Sequence, residues 1–218
     1  MRDLIVPAYF HPSEPGWPAL ADPRVSTIIF NAASGPGTVR DPALATTASR
    51  LTAAGVALAG YVDTAYGRRP PAEVGSDLRR YRDWYGITRV FCDQVSAEAD
   101  LLPAYRRISG AARDAGAETL VFNHGAHPDA RYAGLADTLI TFEGPWSAYA
   151  RLRVPAWAAG VSAGHLVYGV PEGMLERVVA LAAERGAGVG YVTDAAGANP
   201  WRRLPPYFAR EVALVAGG

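Results

Sequence analysis

The chain contains no lysine: all 21 basic residues among its 218 are arginine. Reactions that run through a lysine amine, such as Schiff-base chemistry or the phosphate grip of a P-loop, are therefore excluded. There is one cysteine, Cys92, so no internal disulfide can form and the fold does not rely on an oxidising compartment. Lying inside a predicted strand, Cys92 reads as a small core residue. Neither sign of charge is in excess, because the 21 acidic residues balance the arginines. No tail or stripe of one sign occurs, which argues against a nucleic-acid partner. No apolar run approaches the roughly 20 residues of a membrane-spanning helix. The opening Met1-Arg2-Asp3-Leu4 leads straight into a strand and shows no signal peptide. The expected compartment is the cytoplasm if the chain is full-length, and the exterior if an export signal has been trimmed.

Half of the residues are hydrophobic and 19% are charged, a composition that suits one folded core. The wealth of Ala, Gly and Pro, with Arg in place of Lys, reflects GC-rich coding and not chemistry. Short runs rich in β-branched and aromatic residues cover 3–10, 25–31, 56–64, 88–94, 118–123, 137–143, 165–170 and 188–193. They are apolar nearly throughout, as parallel strands buried on both faces are. Helical stretches alternate with them. Asp41-Pro42 is a cap followed by proline at the first helical position, and that helix runs to about Ala54 with a stop at Gly55. Further helices are expected over 73–85, 97–115, 173–185 and 205–216. The crossovers at 12–24 and 124–136 carry too much Pro and Gly for full helices. Eight strands in alternation with helices predict an α/β fold, a compact (β/α)8 TIM barrel forming a single domain over 1–218.

Several motifs fail to complete themselves. The loop Asn31-Ala32-Ala33-Ser34-Gly35-Pro36-Gly37 lacks the Gly-Lys-Ser/Thr end of a phosphate loop and reads as a tight turn. Gly188-Val189-Gly190 is a lone glycine pair with no dinucleotide fingerprint. Of the histidines His11, His124, His127 and His165, the pair His124/His127 flanks Gly125 and precedes Pro128. These read as polar loop residues, with no metal expected. Val161-Ser162-Ala163-Gly164-His165 lacks the first glycine of a nucleophile elbow.

The acids are more informative. Asp63, Asp93, Glu143 and Asp194 fall at the carboxyl ends of predicted strands three, four, six and eight. A carboxylate at a barrel rim can stay charged or take a raised pKa, and so divide acid and base roles. Any one of them could instead cap a helix or pair with an arginine; four on one rim point to a site. Regular strand alternation would send Asp93 and Gln94 to opposite faces. Tyr9, Trp17, Tyr61, Tyr66, Trp146, Tyr191 and Trp201 lie on the same loops, where flat rings suit the apolar faces of sugars. Paired acids with aromatic neighbours and no metal or nucleotide motif point to glycoside hydrolysis.

The strings Val6-Pro7-Ala8-Tyr9, Ser34-Gly35-Pro36-Gly37, Gly60-Tyr61-Val62-Asp63-Thr64, Trp84-Tyr85, Phe91-Cys92-Asp93, Phe122-Asn123, Phe142-Glu143, Tyr191-Val192-Thr193-Asp194 and Asn199-Pro200-Trp201 occur in this order. Together they resemble the spherulin-4-like proteins, a family of (β/α)8-barrel glycoside hydrolases, along essentially the whole chain. The resemblance implies endo-acting cleavage of an α-1,4-linked galactosaminogalactan, a polymer of galactose, galactosamine and N-acetylgalactosamine, without a cofactor. It also implies Asp93 and Glu143 as the catalytic acids. Tyr9, Asn31, Tyr61, Tyr66, Gln94, Asn123 and Asp194 are then the expected contacts to a polysaccharide or oligosaccharide. The family carries an Asp-Glu pair at the end of strand four, and here its second member is Gln94. A glutamine keeps the shape and hydrogen bonding but cannot titrate. Two alternatives follow: a catalytically impaired carbohydrate-binding barrel, or a hydrolase of a different glycan. Roles within the acid pair stay open, since carboxyl separation decides them: about 5–5.5 Å for retention and about 6.5–9.5 Å for inversion.

Overall fold

The computed structural model describes residues 1–216. Eight parallel strands close in chain order into one barrel: β1 (Asp3–Ala8), β2 (Thr27–Phe30), β3 (Ala57–Asp63), β4 (Arg89–Asp93), β5 (Thr119–Asn123), β6 (Thr138–Pro145), β7 (Ala163–Tyr168) and β8 (Ala187–Val192). Asp3 and Leu4 pair with Val189 and Gly190 to complete the ring. The strands are apolar on both faces because one face fills the barrel and the other underlies the helices; Ile28, Ile29 and Phe30 are all buried. This is the expected TIM barrel.

The helices are α1 (Trp17–Leu20), α2 (Pro42–Ala53), α3 (Pro71–Tyr85), α4 (Leu102–Asp114), α5 (Trp146–Tyr149), α6 (Leu175–Glu184) and α7 (Phe208–Ala216). At the head of α2, the Asp41 carboxylate accepts from the Ala43 and Leu44 amides, which satisfies N–H groups that the helix itself leaves free. Gly86, at φ 69°, ends α3 in the left-handed conformation that glycine adopts without strain. The same helix lies directly on Gly60 of β3: a Cβ there would stand 2.6 Å from the Tyr81 ring. Tyr81 in turn donates its hydroxyl to the Phe30 carbonyl, tying α3 to β2. On α7 the buried Glu211 accepts from the Val192 amide at 2.7 Å, and burial raises its pKa well above the ordinary carboxylate value.

The differences from expectation have local causes. β7 spans 163–168 instead of 165–170, because Ala163 and Gly164 pair with Ala187 and Val189 while Gly169 turns away at φ 65°. The helix expected over 97–115 opens with a 3-10 turn (Ala99–Leu101) and becomes α-helical only at Leu102. Prolines 205 and 206 hold back the start of α7 to Phe208. The first crossover carries only the four residues of α1, and the fifth only a 3-10 turn (Ala130–Gly134), as their Pro and Gly content foretold. The sixth is equally lean, with α5 and a 3-10 turn at Ala156–Ala158. Among the described residues no helix is long and apolar enough to cross a membrane.

Candidate active site

Asp93 is the last residue of β4 and Asn123 the last of β5, and both follow the inward-facing parity of their strands. Glu143 does not reach the barrel by parity alone. Counting in twos from Thr138 and Ile140 would turn Phe142 inward and Glu143 out. The β6/β7 register jumps, however, from Ile140↔Gly164 to Phe142↔His165, leaving Thr141 as an extra residue in β6. Such a bulge reverses the alternation. Phe142 therefore packs outside the barrel against Tyr149 and His165, while Glu143 faces in beside Leu166.

The two acids meet at a single amide. Asn123 Nδ2 donates to Asp93 Oδ1 at 2.7 Å and to Glu143 Oε2 at 2.5 Å. The second oxygen of each acid has its own donor: the Tyr61 hydroxyl to Asp93 Oδ2 at 2.9 Å, and the Trp201 indole N–H to Glu143 Oε1 at 3.1 Å. Tyr9 packs its ring edge-on against Tyr61, with centroids 5.5 Å apart. Burial raises the pKa of Glu143, the Asp93 charge raises it further, and the bonds from Asn123 and Trp201 oppose that rise only in part. Burial, with the nearby Asp93 charge, also raises Tyr9 and Tyr61, so both remain neutral hydroxyls. The site thus holds one acid biased towards its protonated form beside another that accepts two hydrogen bonds.

The acids sit where two hollows join. One, of about 560 Å³, is walled by Tyr9, Asn31, Ser34, Tyr61 and Trp201. The other, of about 290 Å³, is walled by Tyr66, Gln94, His124 and Gly125. Asp93, Glu143 and Tyr168 line both. A larger hollow of about 730 Å³ between the β1–α1 loop and α7 shares only Phe10 with the first. Most expected site residues are therefore brought together. Asn123, expected to meet a ligand, gives its amide to the acids. Asn31 accepts from the Gly35 amide and shapes the turn after β2. Asp194 lies apart, in a two-pronged ion pair with Arg203 at 2.8 and 2.9 Å, and lines neither hollow of the site. Asp63 accepts from the Ala65 amide and caps the turn after β3.

Gln94 adopts φ 52°, as do Ser34, Ala65 and Tyr66 near it in value, all directly beyond β2, β3 or β4. Left-handed backbone at residues other than glycine costs about 1–3 kcal/mol each and persists only where the surroundings dictate it. In the loops after β3 and β4 the dictating group is Thr64. Its buried hydroxyl lies 2.9 Å from the Asp93 carbonyl, 2.8 Å from that of Gln94 and 3.0 Å from the Tyr105 hydroxyl. The Tyr66 amide adds a bond to the Gln94 carbonyl. These bonds lock the β3 and β4 loops together and hold Tyr66, 49% exposed, over the second hollow.

Of the histidines, His124 donates Nδ1–H to the Ser96 carbonyl, and burial pushes its pKa down to about 4, leaving a neutral wall. His127 packs against Trp157. Cys92 is buried, and its thiol is pushed up to about 12, which makes it inert. Among the described residues no cluster of three or more His, Cys, Asp or Glu could hold a metal ion. Trp201 was expected only as one of the loop aromatics, and Tyr168 was not singled out. The aromatic Asn199-Pro200-Trp201 string signalled the former, but nothing in sequence ties it to an acid 58 residues away.

Residues 3–215 match the family model described as spherulation-specific family 4. The chain is 28% identical to Spherulin-4 of Physarum polycephalum over 231 aligned residues, covering 97% of this chain and 69% of that protein. Among solved structures it is similar to Aspergillus clavatus Sph3 in complex with GalNAc, with a TM-score of 0.86 at 23% identity over 98% of this chain and 97% of that one. It is also similar in fold to the chitinase RmChi1 of Rhizomucor miehei, with a TM-score of 0.62 at 12% identity over 100% and 99% of the two chains. The family match spans nearly the whole barrel and every residue of the acid site, so the chain belongs to spherulation-specific family 4, the spherulin-4 family.

Proposed function

We propose that this protein is a glycoside hydrolase that cleaves within α-1,4-linked polysaccharide containing galactosamine and N-acetylgalactosamine. The observation that carries the reading is the convergence of Asp93 and Glu143 on one Asn123 nitrogen, in an aromatic-walled cleft at the carboxyl end of a barrel. The facing oxygens, Asp93 Oδ1 and Glu143 Oε2, lie 2.7 and 2.5 Å from a common atom and so are at most 5.2 Å apart, which supports the shorter carboxyl spacing of retaining glycosidases. The similarity to Sph3, whose structure holds GalNAc, supports the sugar assigned here.

Glu143, held towards its protonated form, gives its proton to the glycosidic oxygen as the bond to the anomeric carbon breaks. Asp93 attacks that carbon from the opposite face and forms a glycosyl ester. Glu143, now a carboxylate, takes a proton from water as the water displaces Asp93, which restores both groups. An enzyme nucleophile suits this substrate. In an α-linked 2-acetamido sugar the leaving oxygen and the C2 nitrogen share a face, so the sugar's own amide cannot attack from behind. Tyr61 and Asn123 hold Asp93 in line, and Tyr9, Tyr66 and Tyr168 offer ring faces to the sugars. The test is NMR of the first-formed reducing ends from such a polymer: the α-anomer is expected, and a β-product would overturn the retaining assignment.

Gln94 favours a second reading, carbohydrate binding without turnover, because it stands where the family resemblance expects an acid and lines the hollow beside Asp93. The Gln94→Glu variant separates the two. On the hydrolase reading the unaltered protein already releases reducing ends; on the binding reading only the variant does.

A further inference from the structure

The bulge that turns Glu143 inward is held by a buried polar chain on the outer side of the barrel, away from the cleft. Thr141, the extra residue of β6, is 1% exposed, and its hydroxyl has one partner, His165 Nε2, at 3.2 Å. His165, on the outward face of β7, is equally buried and bonds through Nδ1 to the Tyr149 hydroxyl at 2.7 Å. Tyr149 belongs to α5, which begins directly after Pro145, so the far end of the chain of bonds returns to the strand it braces. Arg185 closes the arrangement: its guanidinium lies 4.7 Å over the Tyr149 ring and donates to the Tyr149 and Ala150 carbonyls. Phe142, the residue that the bulge expels, fills the space between Tyr149 and His165.

An imidazole buried this way is a costly choice for a wall that leucine or phenylalanine could fill, unless both ring nitrogens are needed. Here both are bonded. Flat pairing of β6 with β7 would put Glu143 among the helices and Phe142 over Asp93. We propose that His165 is a positioning residue: by bonding Thr141 it fixes the register jump in β6 and thereby aims Glu143 at Asp93. The assignment rests on the hydrolase reading for its kinetic consequence, but not for its structural one, since where Glu143 points can be measured without substrate.

The two ring nitrogens can be replaced separately. In His165→Gln the side-chain amide reaches the Nε2 position and keeps a partner for Thr141; in His165→Asn it reaches only the Nδ1 position and keeps Tyr149. Thr141→Val removes the hydroxyl from the other side with no change of shape. The Trp201 indole N–H, which donates to Glu143, reports on that carboxyl through its NMR resonance, identified by its loss in Trp201→Phe. In the unaltered protein and in His165→Gln this resonance should titrate with Glu143 at a pH above the ordinary carboxylate range. In His165→Asn and Thr141→Val it should lose that titration, and kcat on the polymer should fall about 10- to 100-fold with KM within about twofold. Thermal unfolding of each variant separates this from global collapse, with Thr141→Val as the mildest change. If Thr141→Val and His165→Asn keep the wild-type Trp201 titration, the positioning role is wrong whatever the catalytic outcome. If the titration is lost as described and no variant, nor the unaltered protein, cleaves any polymer, the positioning stands and the hydrolase reading fails.

Discussion

Replacing Asp93 by asparagine should inactivate the protein and make it more stable. The substitution removes one of two facing charges and keeps the shape; the new amide can donate to the Tyr61 oxygen, and the remaining oxygen can accept from Asn123. The two facing oxygens, Asp93 Oδ1 and Glu143 Oε2, are at most 5.2 Å apart, the sum of their distances to the Asn123 nitrogen. Two unit charges about 5 Å apart repel by roughly 3 kcal/mol at an effective dielectric near 20, and by under about 1 kcal/mol in bulk water. Glu143 stands at the wall of an open hollow, so about 1–2 kcal/mol is the expected coupling. Burial contributes more than Asp93 does, so Glu143 should remain above the ordinary value in Asp93→Asn, only less so.

The sign of the stability change follows from linkage. The unfolded chain releases the Glu143 proton near 4.5, whereas the folded protein keeps it to a higher pH. Across that window the folded state holds more protons, so stability falls as pH rises and levels off above the folded pKa. Asp93→Asn lowers the folded pKa and narrows the window. At pH 8 the variant should gain about 1–2 kcal/mol, a Tm rise of about 2–8 °C for a domain of this size. Near pH 4, where Glu143 is protonated in both states, the gain should vanish. The assays are a 13C NMR titration of the Glu143 carboxyl and thermal unfolding at the two pH values. A Glu143 pKa that fails to drop, or a stability difference independent of pH, would refute the coupling.

Thr64→Val removes the hydroxyl that joins the β3 and β4 loops and takes one bond from each of the Asp93 and Gln94 carbonyls, which keep the Thr64 and Tyr66 amides. Urea unfolding should show a loss of about 1–3 kcal/mol, and kcat should fall as Asp93 drifts. Tyr66→Ala takes away a ring that is 49% exposed above the second hollow. Calorimetric titration with an oligosaccharide should show affinity reduced about 3- to 10-fold, on the scale of about 1 kcal/mol for an aromatic contact, with stability unchanged. Gln94→Glu should leave reducing-end release within an order of magnitude of the unaltered protein if Asp93 and Glu143 suffice.

The barrel was legible because eight short apolar runs, separated by caps such as Asp41-Pro42, admit few other arrangements. The place of Asp93 at the barrel mouth was legible for a simple reason: β4 is regular to its end, so parity and position agree. Glu143 was found at the right strand end, yet the alternation of β6 would have turned it the wrong way. The bulge at Thr141 depends on partners in β7 and α5 that no local pattern displays. Asp194 stands apart from the other acids for the converse reason. An acid just past a strand looks the same in sequence whether it faces a ligand or, as here, an arginine nine residues on. The left-handed turn at Gln94 was hidden too, since glutamine carries no conformational signal and the constraint comes from Thr64 in the neighbouring loop.

The most direct test of the central claim is reducing-end and mass-spectrometric analysis of α-1,4-linked galactosaminogalactan after incubation with the protein, with Glu143→Gln as the matched control. The account predicts a ladder of oligosaccharides from the unaltered protein and none from Glu143→Gln, whose fold and oligosaccharide binding should persist. Equal release by both proteins would remove Glu143 from the chemistry, and release by neither, from folded samples, would contradict the hydrolase assignment.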